Sequence, residues 1–211
     1  MQIDVYSDMV CPWCRIGKQN LKDALAAWSG GKEATIRVRS FQLDPSLPPE
    51  GLPFHDAMGK KMGGPAGVAQ VTERVTQAGA AVGVTFRFDR VTRMPSTLLA
   101  HRLVALLPED RQAALVDGIM KAYFEDGQDI AQLEVLLAIA AAQGHAAETL
   151  RSRLEQGEGA ERVNADQEEA ARIGVTGVPF FVFDNKYALS GAYPAEQMIK
   201  VMEQIVSEAQ G

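Results

Sequence analysis

Ile3-Asp4-Val5-Tyr6-Ser7-Asp8-Met9-Val10-Cys11-Pro12-Trp13-Cys14 is the stretch that decides the fold. Ile3–Tyr6 alternates apolar and polar side chains, the two-residue period of a strand. Ser7–Val10 connects it to Cys11, and Pro12 then takes the first helical position, where its missing N–H is no loss. A helix is expected over about 12–28, with Ile16, Leu21, Leu25 and Trp28 as its apolar stripe and Gly30-Gly31 closing it. Thr35–Phe41 alternates again before a Pro-rich turn over 44–53. The opening is βαβ, with both cysteines at the strand-to-helix junction.

Those are the only two cysteines in 211 residues. A bond between them encloses only Pro12 and Trp13, so it would restrict little of the unfolded chain and add little stability. The pair calls for a chemical explanation: a redox dithiol, half of a metal site, or two core cysteines that meet by coincidence. Structural zinc takes four N/S ligands, usually as two paired clusters. His55, His101 and His145 are the only histidines and none has the second-pair spacing, so no metal is expected. A thiol at a helix N-cap lies near unpaired N–H groups and the positive end of the helix dipole, both of which favour thiolate. This reading makes Cys11 the exposed nucleophile and Cys14, one turn in, the resolving thiol.

From about 45 to 159 the period is helical, with segments near 54–62, 66–81, 97–107, 110–125, 130–143 and 146–156 and a brief extended interruption at Thr85–Phe88. After a helix ending near Ile173 the period returns to sheet. Pro179–Phe183 and Tyr187–Ser190 flank the turn Asp184-Asn185-Lys186 as a hairpin, and a last helix follows over 194–209. The expected architecture is α/β: residues 1–44 and 160–211 form one unit, interrupted by a helical insertion over 45–159. The longest apolar run, Val135–Ala142, has eight residues, far short of a membrane span of about 18–20. The start shows no basic or apolar leader pattern. A net charge of −6 argues against nucleic acid or anionic membrane as a partner.

Cys11-Pro12-Trp13-Cys14 after a first strand, with Gly177-Val178-Pro179-Phe180-Phe181 before a late hairpin, resembles a thioredoxin-fold active site. The helical block between the halves resembles the DsbA family, in particular its FrnE-like branch, related to 2-hydroxychromene-2-carboxylate isomerases and kappa-class glutathione transferases. Cys11–Lys18, Arg39–Pro45, Pro95–Leu103, Gly174–Phe183 and Ser190-Gly191-Ala192 support it across the whole chain. The resemblance implies a thioredoxin-like fold with a helical insertion and a cytoplasmic thiol–disulfide oxidoreductase, monomer or homodimer. It implies no cofactor beyond the Cys11–Cys14 disulfide, with protein or glutathione-like thiols and disulfides as substrates and glutathione as a possible co-substrate. It also implies a cis Pro179 beside the dithiol, with the Val178 backbone available to a substrate chain.

Two departures shape the expectation. Pro-Trp stands between the cysteines where DsbA carries Pro-His, and the strand position at which thioredoxins keep a buried acid is Val5, although Asp8 in the connecting loop lies close by in sequence. The reduction potential is expected between those of thioredoxin and DsbA. Pro12 and Trp13 are candidate substrate contacts, Trp13 equally a lid over Cys14. His101 is either a cleft-facing proton shuttle or a hydrogen-bonded structural residue. Arg15 and Lys18 steer acidic thiols or form a solvated face, and Glu155–Arg172 reads as a solvated helix face. Two other functions fit the chain: a glutathione-dependent isomerase or transferase acting on an aromatic compound held between the subdomains, or a non-enzymatic peptide-binding holdase. The retained second cysteine favours redox chemistry, because simple glutathione binding has no use for a resolving thiol.

Overall fold

The computed structural model describes residues 1–210; residue 211, the last of the expected thioredoxin-like unit, lies outside the described residues. The main sheet has four strands in the order β2-β1-β5-β6, where β1 is Gln2–Ser7, β2 Thr35–Ser40, β5 Phe180–Phe183 and β6 Tyr187–Ser190. β1 is central: parallel to β2, with Gln2 opposite Thr35 and Ser7 opposite Ser40, and antiparallel to β5, with Ile3 opposite Phe183 and Tyr6 opposite Phe180. Parallel neighbours need a crossover, and α1 (Pro12–Ala27) supplies it.

The strand alternation sends Ile3, Val5, Phe181 and Phe183 to one face. There they meet Leu21 and Ala24 of α1 and Met198, Met202 and Ile205 of α9 (Ala195–Gln210). On the opposite face Tyr6 packs with Ala170 of α8 (Ala160–Arg172), Val175 and Phe180. Both faces of β1 are covered, which explains why five of its six residues are buried.

Between β2 and α8 the chain forms α2 (Phe54–Met62), α3 (Pro65–Ala80), α4 (Leu98–Ala105), α5 (Glu109–Phe124), α6 (Leu133–Ala142) and α7 (Ala147–Glu155). Helix α5 buries Leu115, Val116, Ile119, Met120, Tyr123 and Phe124, a stripe one helical turn apart. These join Leu103, Val104, Leu136 and Leu137 in a core cluster that continues to Met9, Cys11, Cys14 and Ile16. The dithiol therefore belongs to the core of the helical block, not to the core under the sheet.

Three local expectations need correction. Leu52–Pro53 and Arg93–Met94 form a small antiparallel pair, β3 and β4, inside what reads as turn and loop. The interruption at Thr85–Phe88 pairs with no strand and is more than a spacer: Phe86 and Phe88 stack at 5.5 Å, and Phe86 meets Phe124 edge-on at 5.1 Å, so they act as a core plug carried on a loop. The Glu155–Arg172 stretch is not simply solvated. Asp166 is buried, accepting from Arg39 at 3.0 Å and from the Ser40 backbone N–H at 2.9 Å.

Candidate active site

The start of α1 builds the site. Cys11 is its N-cap in extended conformation, Pro12 follows in the first turn, and no acidic residue lies in that turn. The Cys14 backbone N–H donates to Cys11 Sγ at 3.2 Å, so the sulfur occupies the place of a capping oxygen. Both cysteines are free thiols. Cys11 also donates to the Val178 carbonyl at 3.5 Å, and the Val178–Pro179 peptide is cis. The helix passes this loop closely because residue 17 is glycine. A Cβ there would lie 2.9 Å from Pro179 Cγ and 3.3 Å from Phe181 Cζ.

Cys11 was expected to be exposed, and it is not: the residue keeps 3% of its surface and Cys14 keeps 1%. The Val178 carbonyl meets the Cys11 sulfur, and Val10, Trp13 and Val178 pack against the cluster that holds both cysteines. Burial pushes the Cys14 thiol well above its ordinary range. The hydrogen bond and charge of Cys11 add to this, the Asp8 backbone amide opposes it, and the Asp8 carboxylate raises it further.

Other predicted residues fall on both sides of the site. Trp13 is half-buried against the helical core, with the Arg74 guanidinium 5.9 Å from its ring centre. Pro12 borders a narrow apolar cleft with Phe54, Met58, Phe88 and Met94. Arg15 and Lys18 do not simply face solvent; they tie α1 to the helical block. Arg15 pairs with Glu125 and donates to the Thr85 carbonyl at 2.7 Å, and Lys18 pairs with Asp117 at 2.8 Å and also bonds the Ala113 carbonyl. A cleft of about 450 Å³ lies along this seam between α1, β2 and α5 and touches neither cysteine.

His101 of α4 does not line an open cleft. It is 1% exposed, and its Nε2 lies 3.2 Å from Asp8 Oδ1. Asp8, also 1% exposed, accepts the Met9 backbone N–H at 2.8 Å and the Leu43 backbone N–H at 2.8 Å. This pairing across 93 residues is what sequence reasoning missed. Asp8 stood out only as a loop acid near Cys11, and nothing local to either residue announces the partner. Among the described residues no group of three or more His, Cys, Asp or Glu side chains is arranged to hold a metal, and no helix is long and apolar enough to cross a membrane.

Comparison with known proteins agrees with this geometry. A probable DsbA oxidoreductase from Streptomyces coelicolor superposes with a TM-score of 0.90 at 35% identity, covering 99% of this chain and 91% of that one. The cytosolic disulfide reductase DsbM from Pseudomonas aeruginosa, solved with GSH, shares the fold at a TM-score of 0.68 and 20% identity, over 97% and 99% of the two chains. A 2-hydroxychromene-2-carboxylate isomerase does so at 0.71 and 16%, over 100% and 97%. This mixture of oxidoreductases and a chromene isomerase is the company that a FrnE-like resemblance implies. The profile of the DSBA-like thioredoxin domain matches residues 2–203, and the chain belongs to that family of thiol oxidoreductases.

Proposed function

We propose that this protein exchanges disulfides with protein or small thiols through Cys11 and Cys14, with no cofactor beyond their own disulfide and with glutathione as a possible co-substrate. The observation that carries this reading is the pair of free thiols at the head of α1, the first capped by the backbone N–H of the second and seated against the Val178 carbonyl. In the reductive direction the Cys11 thiolate attacks a substrate disulfide, forming a mixed disulfide and releasing one substrate thiolate. Cys14 then attacks the Cys11 sulfur, the Cys11–Cys14 bond forms, and the second substrate thiolate leaves. Substrate must displace the Cys11–Val178 contact, so Val178 and Pro179 are the assigned substrate contacts, with Pro12 and Trp13 flanking them. We read residues 1–44 and 160–211 as the thioredoxin-like unit, 45–159 as the insertion, and the cytoplasm as the compartment, in keeping with the cytosolic DsbM neighbour.

The test is reduction of insulin disulfides by the reduced protein, with Cys11→Ser expected to abolish turnover. If Cys11→Ser leaves activity intact while glutathione still drives turnover of an aromatic substrate, the isomerase reading replaces this one. A reduction potential measured against a glutathione series is expected between those of thioredoxin and DsbA.

A further inference from the structure

Away from the dithiol, the seam between the sheet and the helical block is not closed. Protein interiors are packed to a density that leaves few gaps larger than a water molecule. The cleft of about 450 Å³ between α1, β2 and α5 is far larger, and falls within the roughly 300–1,000 Å³ that small-ligand sites occupy. Its apolar lining follows from the strand and helix periods. Ile36 and Val38 alternate onto one face of β2, and Val38 sits opposite Val5 of β1. Leu21 and Leu25 stand one turn apart on α1, and Val116 of α5 completes the wall. Among the described residues no aromatic side chain lines the cleft.

The charged part of the lining is cationic. Arg15, Lys18 and Lys22 fall on successive turns of α1, and Lys121 of α5 joins them, against a single carboxylate, Asp117. In a chain of net charge −6 this is a local reversal of sign. Two of the cations are committed outside the cleft, Arg15 to Glu125 and Lys121 to Asp126. Lys18 holds Asp117 at 2.8 Å and the Ala113 carbonyl, which uses two of its three donors, and Asp117 itself is mostly exposed. Lys22 makes no ion pair among the described residues. Burial pushes the Lys18 ammonium below its ordinary value; Asp117 opposes the shift and the Lys22 charge adds to it. One carboxylate therefore leaves two ammoniums under-compensated beside an aliphatic slot.

We propose that this cleft binds a medium-chain aliphatic carboxylate, with its alkyl chain laid against Val5, Val38, Leu21, Leu25 and Val116 and its head group held by Lys18 and Lys22. The aliphatic walls suit a flexible alkyl chain better than a ring, which would find no stacking partner there. The bound acid bridges α1 and α5 without a covalent step. It touches neither cysteine, so the proposal stands or falls independently of the dithiol chemistry.

Calorimetric titration of the intact protein with octanoate, decanoate and dodecanoate tests this. One-to-one binding is expected, tightening about 15-fold for each two added methylenes until the cleft is full. Decanol, an alkyl chain of the same length without the charge, is expected to bind about 10-fold more weakly than decanoate. Lys22 is exposed on α1, so Lys22→Gln should fold as the parent does, weaken decanoate about 5-fold and leave decanol unchanged. Ala113→Phe, which places a ring in the cleft, should abolish decanoate binding while insulin reduction stays at the parental rate. The proposal is overturned by lack of saturable binding at every chain length, or by decanol binding as tightly as decanoate. Decanoate affinity unmoved by Lys22→Gln overturns it as well. Should Ala113→Phe fail to fold, the chain-length series and Lys22→Gln still decide.

Discussion

Asp4 and Asp8 lie four residues apart, on β1 and the loop that follows it, and both are buried, yet their surroundings differ in kind. Asp4 is clamped by Arg37 through two bonds of 2.7 Å and by Arg39 at 2.9 Å, and Arg39 goes on to Asp166. Burial pushes the Asp4 carboxyl up, but the hydrogen bonds and charges of the two guanidiniums outweigh it and hold it below the usual carboxylate range. Asp8 receives two backbone amides and one imidazole. A guanidinium is a fixed positive charge, whereas a backbone amide is a neutral donor. The same acid is therefore braced by two full charges on one face of the sheet and by backbone amides and an imidazole at its end.

The largest expected effect lies at the thiol next to Asp8 in space. Cys14→Ser should lose catalytic reduction of insulin altogether, while a single equivalent of 5,5′-dithiobis(2-nitrobenzoate) still leaves a mixed disulfide on Cys11 visible as an added mass. Asp4→Asn should do the reverse. It leaves Arg37 without its anion and Arg39 with Asp166 alone, and is expected to cost about 3 kcal/mol at pH 7 by urea denaturation, with insulin reduction within about 2-fold. Because the Asp4 pKa is depressed on folding, its contribution is complete above the unfolded carboxylate value of about 3.9 and fades as pH falls through the lower folded value. The gap between Asp4→Asn and the parent should therefore narrow below about pH 4, and a constant gap would refute the brace. Arg39→Gln, which removes a partner from both Asp4 and Asp166, is expected to cost about 2 kcal/mol, more than Arg37→Gln, which touches Asp4 alone, at about 1 kcal/mol. A comparably small effect is expected at Gly17 of α1. Gly17→Ala presses a methyl on Pro179 and should cost about 1 kcal/mol in thermal unfolding, with slower insulin reduction.

The βαβ opening, the late hairpin and the helical character of the middle were legible because each rests on a period or a turn signal carried by neighbouring residues. The β3–β4 pair was not, since two-residue strands have no period to read. Phe86 and Phe88 alternate with Thr85 and Arg87 as a strand would, and only the aromatic neighbours Phe54 and Phe124 reveal that a loop carries them into the core. Cys11 and Cys14 could be picked out from spacing, but their burial could not. It comes from the Val178 loop and from a cluster supplied mainly by the helical block over 54–154. His101 sits among Leu, Ala and Val and reads as a core histidine. Its partner Asp8 could not be read, because no helical or strand period brings the two together.

The central place of β1 also has a consequence in time. Ser40 ends β2 and Phe180 begins β5, so about 140 residues are made between the two neighbours of β1. At about 5–20 residues per second a ribosome needs roughly 7–30 s to cover that distance. During that interval one edge of β1 has no native strand to pair with, while the helices of the middle segment can already gather. The segment that finally closes the sheet also brings Val178 to Cys11, so the reactive thiol meets its finished surroundings only when the strand pairing is complete. A nascent chain halted before residue 175 should accordingly show a Cys11 that reacts freely with a bulky maleimide, and release of the full chain should protect it.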